Sequence, residues 1–288
     1  MLVRTNKHLF LNNMKMTKNI SFFKGEFIPF EDLRFKDFQR LRFADSLFES
    51  MLAVNGKVPL LDYHLKRLLH SCEYLQLDFP TIVFDDVISE LLEKNSFDKY
   101  ARLRLTVFRA EGKLYSPNGS KSFVLIEAEE YTKEFFQSIN TIGVYSENKK
   151  PLTIYSLLKS GNALHYVIAK QFAQANNFDE VLIMNPNTEI IEAASNNVFY
   201  VHEGKIYTPS TSTGCVNGVM KKFLCEEIIE NITYAACLQD DLERFDEIFL
   251  TNAVGLIQPV KQYGDKKYEH NITNSIIEKI KKRFELQL

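Results

Sequence analysis

From Leu60 to Leu75 the apolar positions Leu61, Leu65, Leu68, Leu69, Cys72 and Leu75 recur every three to four residues, which predicts a helix. A second helix fits Ile82 to Lys94. Around them the period changes to two. Residues 20 to 30 read as a hairpin turning at Lys24-Gly25, and Phe48 to Val54 reads as a strand. The pair Asn55-Gly56 after it is the strongest short hairpin signal in the chain. Tyr100 to Arg109 is a strand in which Arg102, Arg104, Thr106 and Phe108 share a face. Phe123 to Glu127 is another, and this α+β half closes near residue 130.

A polar stretch, Ser146-Glu-Asn-Lys-Lys-Pro151, opens the second half. Asn162 to Asn176 reads as an amphipathic helix and Glu180 to Met184 as a short apolar strand. Asn185-Pro-Asn-Thr188 is a turn. A meander follows: Glu189 to Ile191, Val198 to His202, the turn Glu203-Gly204, and Lys205 to Thr208. A helix is expected from Gly218 to about Glu230, strands near 247–251 and 254–260, and a terminal helix from Asn274 to Leu286. The resulting division is a leader at 1–18, a small α+β domain at 19–135 and a larger β-rich domain at 145–288.

Hydrophobic residues make up 45% of the 288 and charged residues 25%, the balance of a globular protein. A formal net charge of -2 gives no electrostatic case for nucleic acid. No run of about 18 apolar residues suits a membrane span. Cys72, Cys215, Cys225 and Cys237 make no C-x-x-C pair and have no His partner at zinc spacing. They read as reduced thiols in a cytoplasmic protein, with Cys215 in a packing role.

Three segments carry candidate chemistry. Lys159 stands among Tyr155-Ser-Leu-Leu and Ser-Gly-Asn, with few charges nearby, whereas Lys149, Lys150 and Lys170 look ordinary. An amine forms an imine only when partly neutral, and an apolar setting favours that. Glu192 lies between Ile190-Ile191 and Ala193-Ala194, where a buried carboxylate needs a partner such as a protonated pyridine nitrogen. Gly218 opens a helix whose free N–H groups suit an anion. Arg67 adds a guanidinium that grips phosphate by paired hydrogen bonds. Taken singly, Lys159 fits a surface lysine and Glu192 an exposed strand end. A lysine, a carboxylate and a helix start in this order suit one molecule of pyridoxal phosphate.

The ordered segments resemble the class IV aminotransferases, the fold-type IV pyridoxal phosphate enzymes, from about residue 20 to the C-terminus. Ala44-Asp-Ser-Leu-Phe-Glu49 resembles the family's Gly-Asp-Gly-Val-Phe-Glu with both glycines replaced. His64-Leu-Lys-Arg67 is similar to the segment whose arginine binds the cofactor phosphate. Lys159-Ser-Gly-Asn resembles the Schiff-base segment. Glu192 followed by Asn197-Val-Phe199 resembles the segment whose glutamate meets the ring nitrogen. Asn217-Gly-Val-Met-Lys221 resembles the phosphate loop, with main-chain N–H groups at Val219 and Met220. Asp246 to Ala253 resembles the strand and loop that close over the cofactor, at Asn252 and Ala253.

The resemblance implies a D-amino acid aminotransferase-like α/β fold with a pseudo-barrel second domain, a bound pyridoxal phosphate, a small amine or amino-acid substrate and a homodimer. Two reactions are open. In an aminotransferase of the branched-chain or D-amino acid type, Lys159 moves a proton between substrate and cofactor. In 4-amino-4-deoxychorismate lyase it removes the proton beside the amine, and pyruvate leaves. The lyase is favoured by Asn217-Gly-Val-Met-Lys, closer to Val-Asn-Gly-Ile-Met-Arg than to the aminotransferases' Pro-Gly-Ile-Thr-Arg, and by Asn252-Ala253 in place of Gly-Thr. Arg104 falls where the lyase has a basic pocket residue, although branched-chain enzymes carry an arginine there too. A catalytically silent relative is the third possibility, against which Lys159 and Glu192 both stand intact.

Overall fold

A computed structural model of the chain describes residues 19–34 and 41–286. The expected leader, residues 1–18, lies outside them. The first half builds an antiparallel sheet. β1 (Ile20–Phe23) and β2 (Glu26–Pro29) form the expected hairpin. β3 (Ser46–Val54), α1 (Leu61–Leu75), α2 (Phe84–Asn95) and β4 (Tyr100–Arg109) follow. A two-residue ladder, β5 (Gly112–Lys113) with β6 (Ser116–Pro117), leads into β7 (Ser122–Glu130). The strand order is β2-β1-β7-β4-β3. One face of β4 sends Leu103, Leu105 and Val107 against Leu68, Cys72, Ile88 and Leu91 of the two helices. Burying each such side chain contributes about 1.5–3 kcal/mol.

The Asn55-Gly56 expectation is half right. Both residues have positive φ, 50° and 79°, and Val54 and Lys57 exchange backbone hydrogen bonds across them. No returning strand follows, because the helical period of Leu61 to Leu75 takes over at once. A two-residue turn sets the bend, while the apolar period sets what comes after it. β3 pairs instead with β4, beyond both helices, and its other edge carries no further strand of the sheet.

The second half contains β8 (Ile139–Tyr145), α3 (Leu164–Ala175), β9 (Glu180–Met184), β10 (Ile190–Ala193), β11 (Asn197–His202) and β12 (Lys205–Thr208). Then come α4 (Val219–Phe223), β13 (Ile232–Tyr234), β14 (Glu247–Asn252), β15 (Leu256–Tyr263), β16 (Lys266–Lys267) and α5 (Asn271–Arg283). The sheet runs β10-β9-β8-β15-β14-β11-β12-β13, with β16 on β15. Its end strands do not pair with each other, so the β-rich half is a curled, open sheet. β8 is an interior strand, third from the β10 edge and parallel to both β9 and β15. Its Asn140, Thr141 and Gly143 break the apolar alternation, so periodicity does not reveal it. The helix expected to reach Glu230 is α4 plus a π-turn, Leu224–Ile228, and ends short of that residue.

Glu247 fixes α5 to the sheet. Its buried carboxylate accepts the N–H of Ile272 at 2.7 Å, and the N–H and hydroxyl of Thr273 at 2.8 and 2.6 Å. It therefore caps the helix from a neighbouring strand. Glu247→Ala leaves two helix-end N–H groups without partners, and we expect a loss of about 2–3 kcal/mol. A shift in the urea midpoint at unchanged slope measures it.

Candidate active site

A cavity of about 1200 Å³ is lined by all nine residues expected at the site: Arg67, Arg104, Lys159, Glu192, Asn197, Val219, Met220, Asn252 and Ala253. They come from both halves of the chain. The outer edge of β3 explains how the halves meet there. Phe48 N–H donates to Lys159 O at 2.9 Å, and Gly161 N–H to Ser46 O at 3.0 Å. The segment around Lys159 thus adds to β3 like a short extra strand, and Lys159 is positioned between the two sheets.

The half-buried Lys159 amine lies 4.4 Å from the centre of the Phe48 ring. Burial, with the nearby Arg67 charge, pulls it down from 10.5 to about 8. The amine is therefore partly neutral near physiological pH, as imine formation requires.

Glu192 is buried, and it has protein partners that the sequence reading did not assign. Oε1 accepts from Lys150 Nζ at 2.6 Å and from Tyr166 Oη at 2.9 Å. Oε2 accepts from Val216 N–H at 2.8 Å. Lys150 is thus no ordinary loop lysine: it is buried, and its amine also donates to Ser156 O at 2.9 Å. Nothing local marks Lys150 for this role. Lys150 sits in a polar run, Glu147-Asn-Lys-Lys, and its partner lies in a distant strand. Burial and the Glu192 charge push the Tyr166 hydroxyl far up, so it stays a donor.

At the other end of the cavity Arg67 is also committed. Its Nε donates to Glu49 Oε1 at 2.8 Å, its Nη2 to Glu49 Oε2, and its Nη1 to Asn217 O at 2.9 Å. His64 Nδ1 lies 2.6 Å from Glu49 Oε2. Burial would raise the Glu49 carboxyl, but the Arg67 charge and His64 outweigh it and bring it to about 2. Burial pulls His64 down, against the opposing pull of the Glu49 hydrogen bond and charge. Glu49 closes the motif Ala44 to Glu49, yet sequence alone assigned it no role. Of the five N–H groups of a guanidinium, three are used, and the remaining two are available to an anion.

Asn217 O, held by Arg67, belongs to the loop that starts α4. The N–H groups of Val219 and Met220 have no acceptor among the described residues, as expected at a helix start. Asn197 Nδ2 holds the loop from β11 by donating to Val216 O at 3.0 Å. Asn252 Oδ1 accepts from Val254 and Gly255 N–H at 2.9 and 2.6 Å, so it shapes the turn containing Ala253. Arg104, on the open side, has its guanidinium 4.1 Å from the Phe48 ring centre. It makes no hydrogen bond among the described residues, whereas neighbouring Arg102 pairs with Glu129 at 2.9 Å. Cys215 is buried behind the loop, and burial raises its thiol, which fits packing rather than reactivity. No group of metal-ligating side chains forms a metal site among the described residues, and no helix there is long and apolar enough to cross a membrane.

An amine of lowered basicity, a buried carboxylate with an acceptor site to spare and an anion cradle share one cavity. These are the requirements of a pyridoxal phosphate enzyme, and the residues present fit the cofactor. Residues 46–263 match the model of the family described as Amino-transferase class IV. The chain is 28% identical to a Methanocaldococcus jannaschii protein provisionally named a branched-chain-amino-acid aminotransferase, over 91% of this chain and 94% of that one. A branched-chain aminotransferase from Thermoproteus uzoniensis, solved with norvaline, shares the fold at a TM-score of 0.84 and 19% identity, covering 93% and 95% of the two chains. A Legionella pneumophila protein provisionally named 4-amino-4-deoxychorismate lyase shares it at 0.77 and 21%, covering 88% and 95%. The chain belongs to the class IV aminotransferase family, and it is a pyridoxal phosphate-dependent enzyme.

Proposed function

We propose that this enzyme is a 4-amino-4-deoxychorismate lyase, which forms 4-aminobenzoate and pyruvate in folate biosynthesis. The observation that carries this reading is the phosphate loop Asn217-Gly218-Val219-Met220-Lys221, whose sequence resembles the lyase's and which Arg67 holds against the cavity. Bound pyridoxal phosphate supplies an imine-forming carbonyl and a ring that withdraws electrons from the carbon beside the amine. Lys159 Nζ takes the proton from that carbon. Glu192 would pair with the ring nitrogen. Arg67 and the N–H groups of Val219 and Met220 bind the phosphate. Asn197, Asn252 and Ala253 shape the walls around it. Arg104, with its donors free, binds a substrate carboxylate.

The second reading, an aminotransferase, is favoured by the name of the Methanocaldococcus jannaschii relative. One assay separates the two. Given 4-amino-4-deoxychorismate, the purified protein is expected to release 4-aminobenzoate and pyruvate in equal amounts. Keto acids from branched-chain or D-amino acids with 2-oxoglutarate, without 4-aminobenzoate, would establish the aminotransferase instead.

The Lys159 amine also sets a pH dependence. Only the neutral amine attacks an aldehyde, and burial brings it to about 8. Capture of pyridoxal phosphate by the apoprotein is therefore expected to speed up through pH 8 and level off above it. Stopped-flow absorbance reads the rate. A rate still climbing past pH 10 would mean an ordinary surface lysine.

A further inference from the structure

Glu192 already has a buried partner, Lys150, before any ligand enters. We propose that Lys150 is a positioning residue that keeps Glu192 aimed while sharing its hydrogen-bonding capacity, so that the ring nitrogen receives only part of the carboxylate's pull. This rests on the reading that Glu192 faces that nitrogen.

The geometry is specific. Lys150 Nζ lies 2.6 Å from Glu192 Oε1, and the two side chains are 7% and 3% exposed. The ammonium is anchored a second time at Ser156 O. Its own backbone is fixed as well, since Lys150 N–H donates to Met184 O at 2.8 Å on β9, the strand beside Glu192's β10. Tyr166 and Val216 complete three donors from three separate segments, and a carboxylate offers about four acceptor sites. One site therefore remains for a ring N–H, on an anion whose charge is already compensated. Buried ion pairs interact strongly and leave a large penalty when one partner is removed. Without Lys150, a protonated ring nitrogen becomes the main counter-charge of Glu192.

Two ligands that form no imine test this: pyridoxine 5′-phosphate, and its analogue with CH in place of the ring nitrogen. The ratio of their dissociation constants, measured by calorimetry, reports the value of the nitrogen. We expect wild type to prefer the nitrogen-bearing ligand by less than about tenfold, and Lys150→Arg to stay within about threefold of wild type. Lys150→Met should raise the preference at least tenfold over wild type. A purely structural lysine would weaken both ligands equally and leave the ratio unmoved, which overturns the proposal. Should Lys150→Met fail to fold, the wild-type ratio still decides: a preference near a thousandfold is incompatible with a shared carboxylate. Failure of wild type to bind pyridoxine 5′-phosphate at all would count against the cofactor site itself.

Discussion

Lys159→Ala is expected to lower turnover about 10²–10⁴-fold, the range for losing a positioned proton carrier, while leaving the fold and the non-covalent hold on the cofactor in place. The phosphate end depends on Arg67 and the α4 loop, and the ring end on Glu192, none of which Lys159 supports by a side-chain hydrogen bond. The visible absorption of a lysine-linked cofactor should disappear, yet pyridoxal phosphate should still co-purify or bind on addition. Stability should not fall. The folded protein releases the Lys159 proton near pH 8, and the unfolded chain near 10.5. The unfolded chain thus binds more protons between those values, so stability rises with pH across that window and the penalty is fully present below it. Removing the amine removes that penalty, and melting at pH 7 should occur at the same or a higher temperature. A substituted protein that keeps the visible band would place the covalent link at another lysine, and buried Lys150 would be the first to examine.

The site has two charged ends with Lys159 between them. Glu49, His64 and Arg67 form one, and Lys150, Glu192 and Tyr166 the other. Each joins residues far apart in sequence, and that decides what could be read from the chain. Lys159, Glu192 and the Asn217–Lys221 loop stand out through the order of their segments and its resemblance to the family, not through any one stretch alone, and the fold brings them to one cavity. Lys150 does not stand out, because its surroundings in sequence are polar and its burial comes from the fold. Arg67 was legible as a cation, but its commitment to Glu49 depends on α1 packing against β3, which no local pattern reports. The same contrast holds for the fold. α1 and β4 follow from strong periodicity, whereas β8 owes its existence to neighbours on both sides and to the close approach of Phe178 to Gly143.

Gly218→Ala is expected to weaken binding of pyridoxine 5′-phosphate about 10- to 100-fold and to cost about 1–3 kcal/mol of stability. A Cβ at Gly218 would stand 1.6 Å from Asn197 Oδ1 and 2.8 Å from its Cγ, far inside any contact distance. Asn197 cannot swing away without cost. It is buried on β11, its backbone pairs with Thr251 of β14, and its amide holds Val216 O. The loop must yield instead, and it carries the N–H groups of Val219 and Met220 at one end and the Val216 N–H donated to Glu192 at the other. One methyl group therefore disturbs the phosphate and ring ends together. The double substitution Gly218→Ala with Asn197→Ala provides the control. Asn197→Ala alone frees Val216 O and should cost about 1 kcal/mol, but in combination it removes the clashing atoms. Residues in contact couple, so the pair should be less damaging than the sum of the single changes by at least about 1 kcal/mol. Strict additivity would mean that the loop, not Asn197, resists the new methyl.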